Sequence, residues 1–192
     1  MTWPNLLSAL RMAIIPLFVI ALVERQAMAA AVLFVLAGLT DLLDGFVARF
    51  WHQESALGAY LDPLADKLLL TVAFVMLAIP GLSPGLPIPT WITVLVITRD
   101  VCIVLVALVV YLALGISKFP PSRVSKCNTA FQIAAVAAVL ATGLSRRVDP
   151  VATGLLYAVA ALTVVSGLEY GHRFLFRGEL NAASPDPGKD TP

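Results

Sequence analysis

Charge is what this chain has least of. Asp, Glu, Lys and Arg make up 13% of its 192 residues, against 59% hydrophobic; a soluble domain is about a quarter charged. That shortage, with a mean hydropathy of +0.90, points away from a water-soluble globular protein and toward a polytopic membrane protein. The net charge of +1 leaves no broad basic surface, so nucleic acid is not an expected partner. Cysteine is equally scarce. Cys102 and Cys127 lie far apart, in or beside apolar runs, and are read as packing residues without a disulfide. No basic side chain precedes Arg11, and Glu24 and Arg25 interrupt the approach to an Ala27-Met28-Ala29 cleavage site. The start is therefore read as a first helix, not a cleaved signal. No Arg- and Ser-rich transit segment is read before it, which favours a bacterial chain.

What the chain does have is apolar runs at roughly 12–23, 27–47, 57–79, 90–113, 129–143 and 151–167. The expected fold is all-α: a bundle of six transmembrane helices with a short N-terminal interfacial helix, opened by Trp3, Pro4 and Asn5. Pro80, Gly81, Pro84, Gly85, Pro87 and Pro89 make a loop between the third and fourth runs. A polar link is expected from Ser117 to Asn128, and another loop at Arg146 to Asp149. No internal repeat and no second domain are read. The membrane domain is placed at 1–180 and a disordered tail at 181–192. Six spans put both termini on one side, with Arg11, Arg49, Lys67, Lys118, Arg123, Lys126, Arg173, Arg177 and Lys189. The other side holds Arg25, Arg146 and Arg147. The first side is thus expected to be cytoplasmic, and a bacterial inner membrane the location.

The stretch Asp41 to Lys67 is the exception to the lack of charge. Asp41, Asp44, Gly45, Ala48 and Arg49 recur at i, i+3, i+4, i+7 and i+8, one helical face; Gly58, Asp62 and Asp66 recur at i, i+4 and i+8, another. Two helices joined by a short link, Phe50 to Ala56, can turn those faces to each other. An aspartate deep in a bilayer costs roughly 2.5–3.5 kcal/mol, and like charges repel. Hard divalent cations cancel that cost, and four carboxylates suggest a pair of ions, the usual clamp for phosphoryl chemistry. Gly45, Ala48 and Gly58 clear space for a bulky ligand, although small residues also serve close helix packing. Arg49 can meet a phosphate oxygen with its guanidinium fork, or snorkel to the interface. Arg99, at mid-span, should face a polar cavity, or pair with an acid elsewhere in the bundle. Arg123 and Lys126 sit at the cytoplasmic end of the fifth run, where plain positive-inside topology also accounts for them. His172 and Arg173 are read as an interfacial anchor.

The spacing Asp41-Leu-Leu-Asp44-Gly45-Phe-Val-Ala48-Arg49, eight residues, Gly58, three residues, Asp62, three residues, Asp66 resembles the signature of the CDP-alcohol phosphotransferase family. The resemblance implies a six-helix membrane bundle, usually dimeric. The implied reaction moves a phosphatidyl or similar group from a CDP-linked donor to an alcohol, releasing CMP. It implies that Asp41, Asp44, Asp62 and Asp66 hold two Mg²⁺ or Mn²⁺ ions, and that Asp66 is also the general base. It implies that Gly45, Arg49 and Ser55 touch the CDP-diacylglycerol donor. Pro4-Asn5-Leu6-Leu7-Ser8 is similar to the family's Pro-Asn-x-x-Thr element, with Ser8 in place of threonine, and adds Asn5 and Ser8 as donor contacts. Leu36 to Phe46, Ser55 to Gly58 with Leu61 to Lys67, Thr98-Arg99-Asp100 and Pro121 to Gln132 resemble the CMP-forming cardiolipin synthase branch. That implies phosphatidylglycerol as acceptor, with Arg99, Arg123 and Lys126 near its phosphodiester. The nearest alternative is a phosphatidylglycerophosphate synthase taking glycerol 3-phosphate. From another class, an ion or proton transporter would need acids trailing across the other spans, which this chain lacks.

Overall fold

The structure is a computed structural model. It describes the backbone of residues 3–51, 56–114 and 123–182, and the side chains of 12–40, 67–105 and 124–169. Six α-helices and one short 3₁₀ turn make it up: α1 Trp3–Val23, α2 Ala27–Trp51, α3 Ala56–Ala78, α4 Thr90–Leu114, α5 Arg123–Thr142, the turn Arg146–Val148, and α6 Asp149–Ala182. There is no strand among the described residues. The expected interfacial helix is not a separate element, because α1 runs unbroken from Trp3, with Pro16 inside it. Near-continuous apolar sequence gives the backbone no reason to stop there. The link expected from Ser117 to Asn128 is shorter than its polarity implies, since α5 already begins at Arg123. The disordered tail expected at 181–192 is helical at its start, α6 ending at Ala182; the rest lies outside the described residues.

Each helix buries one stripe. On α2 it is Ala30, Phe34 and Ala37; on α3, Ala73, Phe74 and Leu77; on α6, Ala152, Leu156, Val159 and Ala160. These are the i, i+3, i+4, i+7 spacings of a helix face. Phe18 of α1 meets Phe34 of α2 with ring centroids 6.0 Å apart. The helices' other faces are apolar too. Val32, Val35, Leu36 and Leu39 of α2, Val101, Val104 and Leu105 of α4, and Val164, Val165 and Leu168 of α6 are all exposed. An apolar exterior around an apolar core is the surface that lipid, not water, solvates. Two helical stretches, Val124–Thr142 and Arg146–Glu169, are long and apolar enough to cross a membrane; Met12–Val23, Ala27–Thr40 and Lys67–Ala78 are shorter apolar stretches among the described residues.

Three links meet at one end of the bundle. The Pro- and Gly-rich loop lies across the end of α5, where Leu86 N–H donates to Thr142 Oγ1 at 2.8 Å. Gly85 has no room for a side chain: a Cβ there would stand 2.2 Å from Thr142 Oγ1 and 2.6 Å from the backbone of Gly143. Gly143 is hemmed in likewise by Pro84 and Ala27. Arg25, at the α1–α2 turn, takes φ +58°, and Gly81 takes φ +86° in the loop. Arg146 and Asp149, with Gly85, Leu86, Pro87 and Thr142, line a cavity of about 140 Å³ at the same end. Arg25 and Arg146 therefore share one end, as the alternation of spans predicts. The start of α2 and the close of α3 lie there as well, so the close of α2 and the start of α3 lie at the opposite end.

Candidate functional site

Both halves of the aspartate signature fall on regular helix. α2 continues through Asp41, Asp44, Gly45, Ala48 and Arg49, and α3 begins at Ala56, ahead of Gly58, Asp62 and Asp66. The side chains of these residues lie outside the described residues, as do those of Asn5, Ser8 and Arg123; Ser55 lies outside them altogether. The helical register that the two expected faces need is present in the backbone.

The interior at that end has its own character. On α4 the buried stripe Ile92 and Val96 gives way to Arg99; on α6 Val159 and Ala160 give way to Thr163 and Ser166. On α5, which runs the other way, Asn128 and Gln132 come first, and Val136, Val139 and Leu140 follow. Apart from Thr93 and Thr142, whose hydroxyls donate to the backbone carbonyls of Phe74 and Val139, the buried stripes of α4, α5 and α6 are apolar toward the three-link end and polar toward the end that carries the signature. The helices alternate in direction, so the polar stretches coincide in depth.

Arg99 is the centre of this polar zone, 8% exposed. One guanidinium nitrogen, Nη1, donates to Asp100 Oδ1 at 2.7 Å. The other, Nη2, donates to Ser125 Oγ of α5 at 2.8 Å and to Ser166 Oγ of α6. Its partners are thus polar side chains of α4, α5 and α6. Among the described residues, the acid that pairs with it is its own sequence neighbour. A guanidinium can tie three helices because its donors spread in a planar fork. A little deeper, Thr163 Oγ1 donates to Asn128 Oδ1 at 3.2 Å, joining α6 to α5. Asn128 is 0% and Gln132 2% exposed, and neither Asn128 Nδ2 nor Gln132 Nε2 has a partner among the described residues. Lys126, one residue past Ser125, is exposed on α5 and does not join the buried group. Cys102 and Cys127 are free and exposed, which corrects their expected packing role: they face outward from α4 and α5.

The polar residues of this zone were missed in the sequence, apart from Arg99. Asn128 was assigned to the link, Gln132 closed the stretch that resembles the cardiolipin synthases without being given a role, and Thr163 and Ser166 stood inside an apolar run. An amide pair at i, i+4 within an apolar helix was the available signal, because a buried amide without a partner is costly.

Arg99→Ala should lower stability by about 2–3 kcal/mol, the size of charge-assisted hydrogen bonds lost from a buried site. Thermal unfolding in detergent reads it. A double variant, Arg99→Ala with Asp100→Ala, should recover part of the loss, because it leaves no carboxylate stripped of its cation.

The profile of the CDP-alcohol phosphatidyltransferase family matches residues 1–165. The chain belongs to this family. Its members are enzymes, so the transporter alternative falls away. The human protein named cardiolipin synthase (CMP-forming) is 37% identical over 190 residues, covering 89% of this chain and 61% of that protein. A Pectobacterium atrosepticum protein named CDP-diacylglycerol–glycerol-3-phosphate 3-phosphatidyltransferase is 36% identical over 188 residues, covering 95% of each. A Mycobacterium tuberculosis protein named probable phosphatidylglycerophosphate synthase is 31% identical over 177 residues, covering 89% of this chain and 80% of that one. The chain spans about three fifths of the length of the human relative. The relatives' names point to two different activities, cardiolipin synthesis at 37% identity and transfer to glycerol 3-phosphate at 36%.

Proposed function

We propose that this phosphatidyltransferase is a cardiolipin synthase of the CMP-forming kind, a six-span membrane bundle working as a homodimer. In this reading it occupies a bacterial inner membrane with the signature facing the cytoplasm, and residues 1–180 form one membrane domain. What supports the mechanism is one observation. α2 and α3 carry the four-aspartate signature as unbroken helix at the end of the bundle where the interior turns polar.

Asp41, Asp44, Asp62 and Asp66 offer hard oxygen donors alone, the set that suits Mg²⁺ or Mn²⁺, and these four would hold two such ions. Bound there, the ions supply positive charge to a pyrophosphate. The remaining work belongs to the chain. Arg49 grips a phosphate oxygen of CDP-diacylglycerol with its fork. Gly45, Ala48 and Gly58 leave room for the donor, and Ser55, Asn5 and Ser8 hold it by hydrogen bonds. Asp66 takes the proton of the acceptor hydroxyl as its oxygen bonds to the phosphatidyl phosphorus. The pyrophosphate P–O bond breaks and CMP leaves with the electron pair. Arg99, Arg123 and Lys126 supply cations for the phosphodiester of phosphatidylglycerol.

The second reading, transfer to glycerol 3-phosphate, is favoured by the match to the Pectobacterium enzyme over nearly the whole of both chains. One assay separates them. Purified protein receives CDP-diacylglycerol with Mg²⁺ or Mn²⁺, and phosphatidylglycerol or glycerol 3-phosphate in separate reactions. CMP release with phosphatidylglycerol, and cardiolipin in the lipid extract, is the expected result. Release with glycerol 3-phosphate alone would transfer the chain to the second reading.

A further inference from the structure

Two buried donors remain outside the reaction as described. Asn128 Nδ2 and Gln132 Nε2 sit one helical turn apart on α5, buried, and without a partner among the described residues. They share a face with Ser125, the hydroxyl that Arg99 reaches from α4, at i, i+3 and i+7. By helical rise, Asn128 lies about 4.5 Å and Gln132 about 10.5 Å past Ser125 along α5. Helical side chains lean toward the N-terminus, which carries both amides back toward the level of Arg99. α4 packs on α6 and α3, and α5 on α6, α2 and α3; α4 and α5 are not among the closely packed pairs of the described residues. Arg99 bridges that gap.

From this placement we infer that Asn128 and Gln132 donate hydrogen bonds to the acyl-ester carbonyl oxygens of a diacyl phospholipid acceptor that enters between α4 and α5. The inference rests on the phosphatidylglycerol reading above. An amide nitrogen is a donor only, and an ester carbonyl is an acceptor only, so the two complete each other. A phospholipid carries its ester carbonyls just below its phosphate. Its phosphate at the depth of Arg99 therefore sets the carbonyls at the depth of the amides. Glycerol 3-phosphate has no carbonyl and leaves both donors as they stand in the free protein, so it forgoes the gain that the ester carbonyls bring. The amide pair thus makes a depth gauge that selects a lipid acceptor over a soluble one.

The test compares phosphatidylglycerol with ester-linked chains against its ether-linked analogue, which keeps the headgroup and lacks both carbonyls. The donor is unchanged, and both acceptors are given in mixed micelles at equal surface fraction. The parent should favour the ester by about threefold to tenfold in kcat/KM for each hydrogen bond lost. Gln132→Met and Asn128→Leu should each bring that ratio toward one by slowing the ester reaction. The ratio is internal to each preparation and does not depend on how much of a variant folds. A parent ratio of one, or variants that slow both acceptors equally, overturns the inference and leaves phosphatidylglycerol as acceptor. CMP release with glycerol 3-phosphate alone overturns both.

Discussion

Asp66→Asn should cut CMP release by about 10²–10⁴-fold, the usual contribution of a positioned base, while CDP-diacylglycerol still binds measurably. Asparagine keeps the shape and one oxygen but has no basic site for the acceptor's proton. It also weakens one metal ligand, so the two roles have to be parted. Raising Mn²⁺ to saturation should restore a variant that fails through metal affinity alone, such as one at Asp41. It should leave Asp66→Asn slow. Wild-type turnover in Asp66→Asn, or full rescue by excess metal, would remove Asp66 from the base role and keep it as a ligand.

Chelation should abolish turnover completely, and added Mg²⁺ or Mn²⁺ should restore it. The reason lies in the donor set. In the proposed site four carboxylates meet in a chain that is 13% charged, and like charges in apolar surroundings repel strongly. Cations that bind the folded chain alone also stabilise it, by about 2.7 kcal/mol at a hundredfold excess over Kd. The thermal midpoint in detergent should therefore rise with metal in the parent and rise less in Asp44→Asn. That readout does not depend on catalysis. Turnover that persists in chelator, with a midpoint indifferent to metal, would sink the two-ion reading.

Much of the fold was legible because apolar run length and breaker density are local properties. The Pro80 to Pro89 stretch could not be helix, and it is a loop. Arg25 and Arg146 fell on one side by counting spans, and the structure brings their links together through Gly85, Thr142 and Gly143. The errors were at edges. Arg123 to Asn128 is polar, so it read as link, yet it is the first turn and more of α5. Its polar residues find partners across the bundle: Ser125 with Arg99, and Asn128 with Thr163. Polarity marks a loop when water is the partner, and fails as a sign when the partner is another helix. The cysteines erred the other way. Small apolar residues read as packing, but in lipid the outside of a helix is as apolar as the inside, so composition does not tell the two faces apart.

By itself the sequence determined the family signature and its register, since Asp41 to Asp66 follow helical spacing that needs nothing beyond the α-helix to be read. It also pointed to the class of chemistry that the family match bears out, phosphatidyl transfer; the cations that four carboxylates call for belong to the proposal. The tertiary structure decided where the remaining polar groups go. Arg99, Ser125, Asn128, Thr163 and Ser166 are spread over 68 positions of α4, α5 and α6. They form one zone because antiparallel helices bring the polar half of each stripe to the same depth. Periodicity within one helix carries no information about the depth of its neighbour, and that depth is what makes the zone a candidate seat for an acceptor.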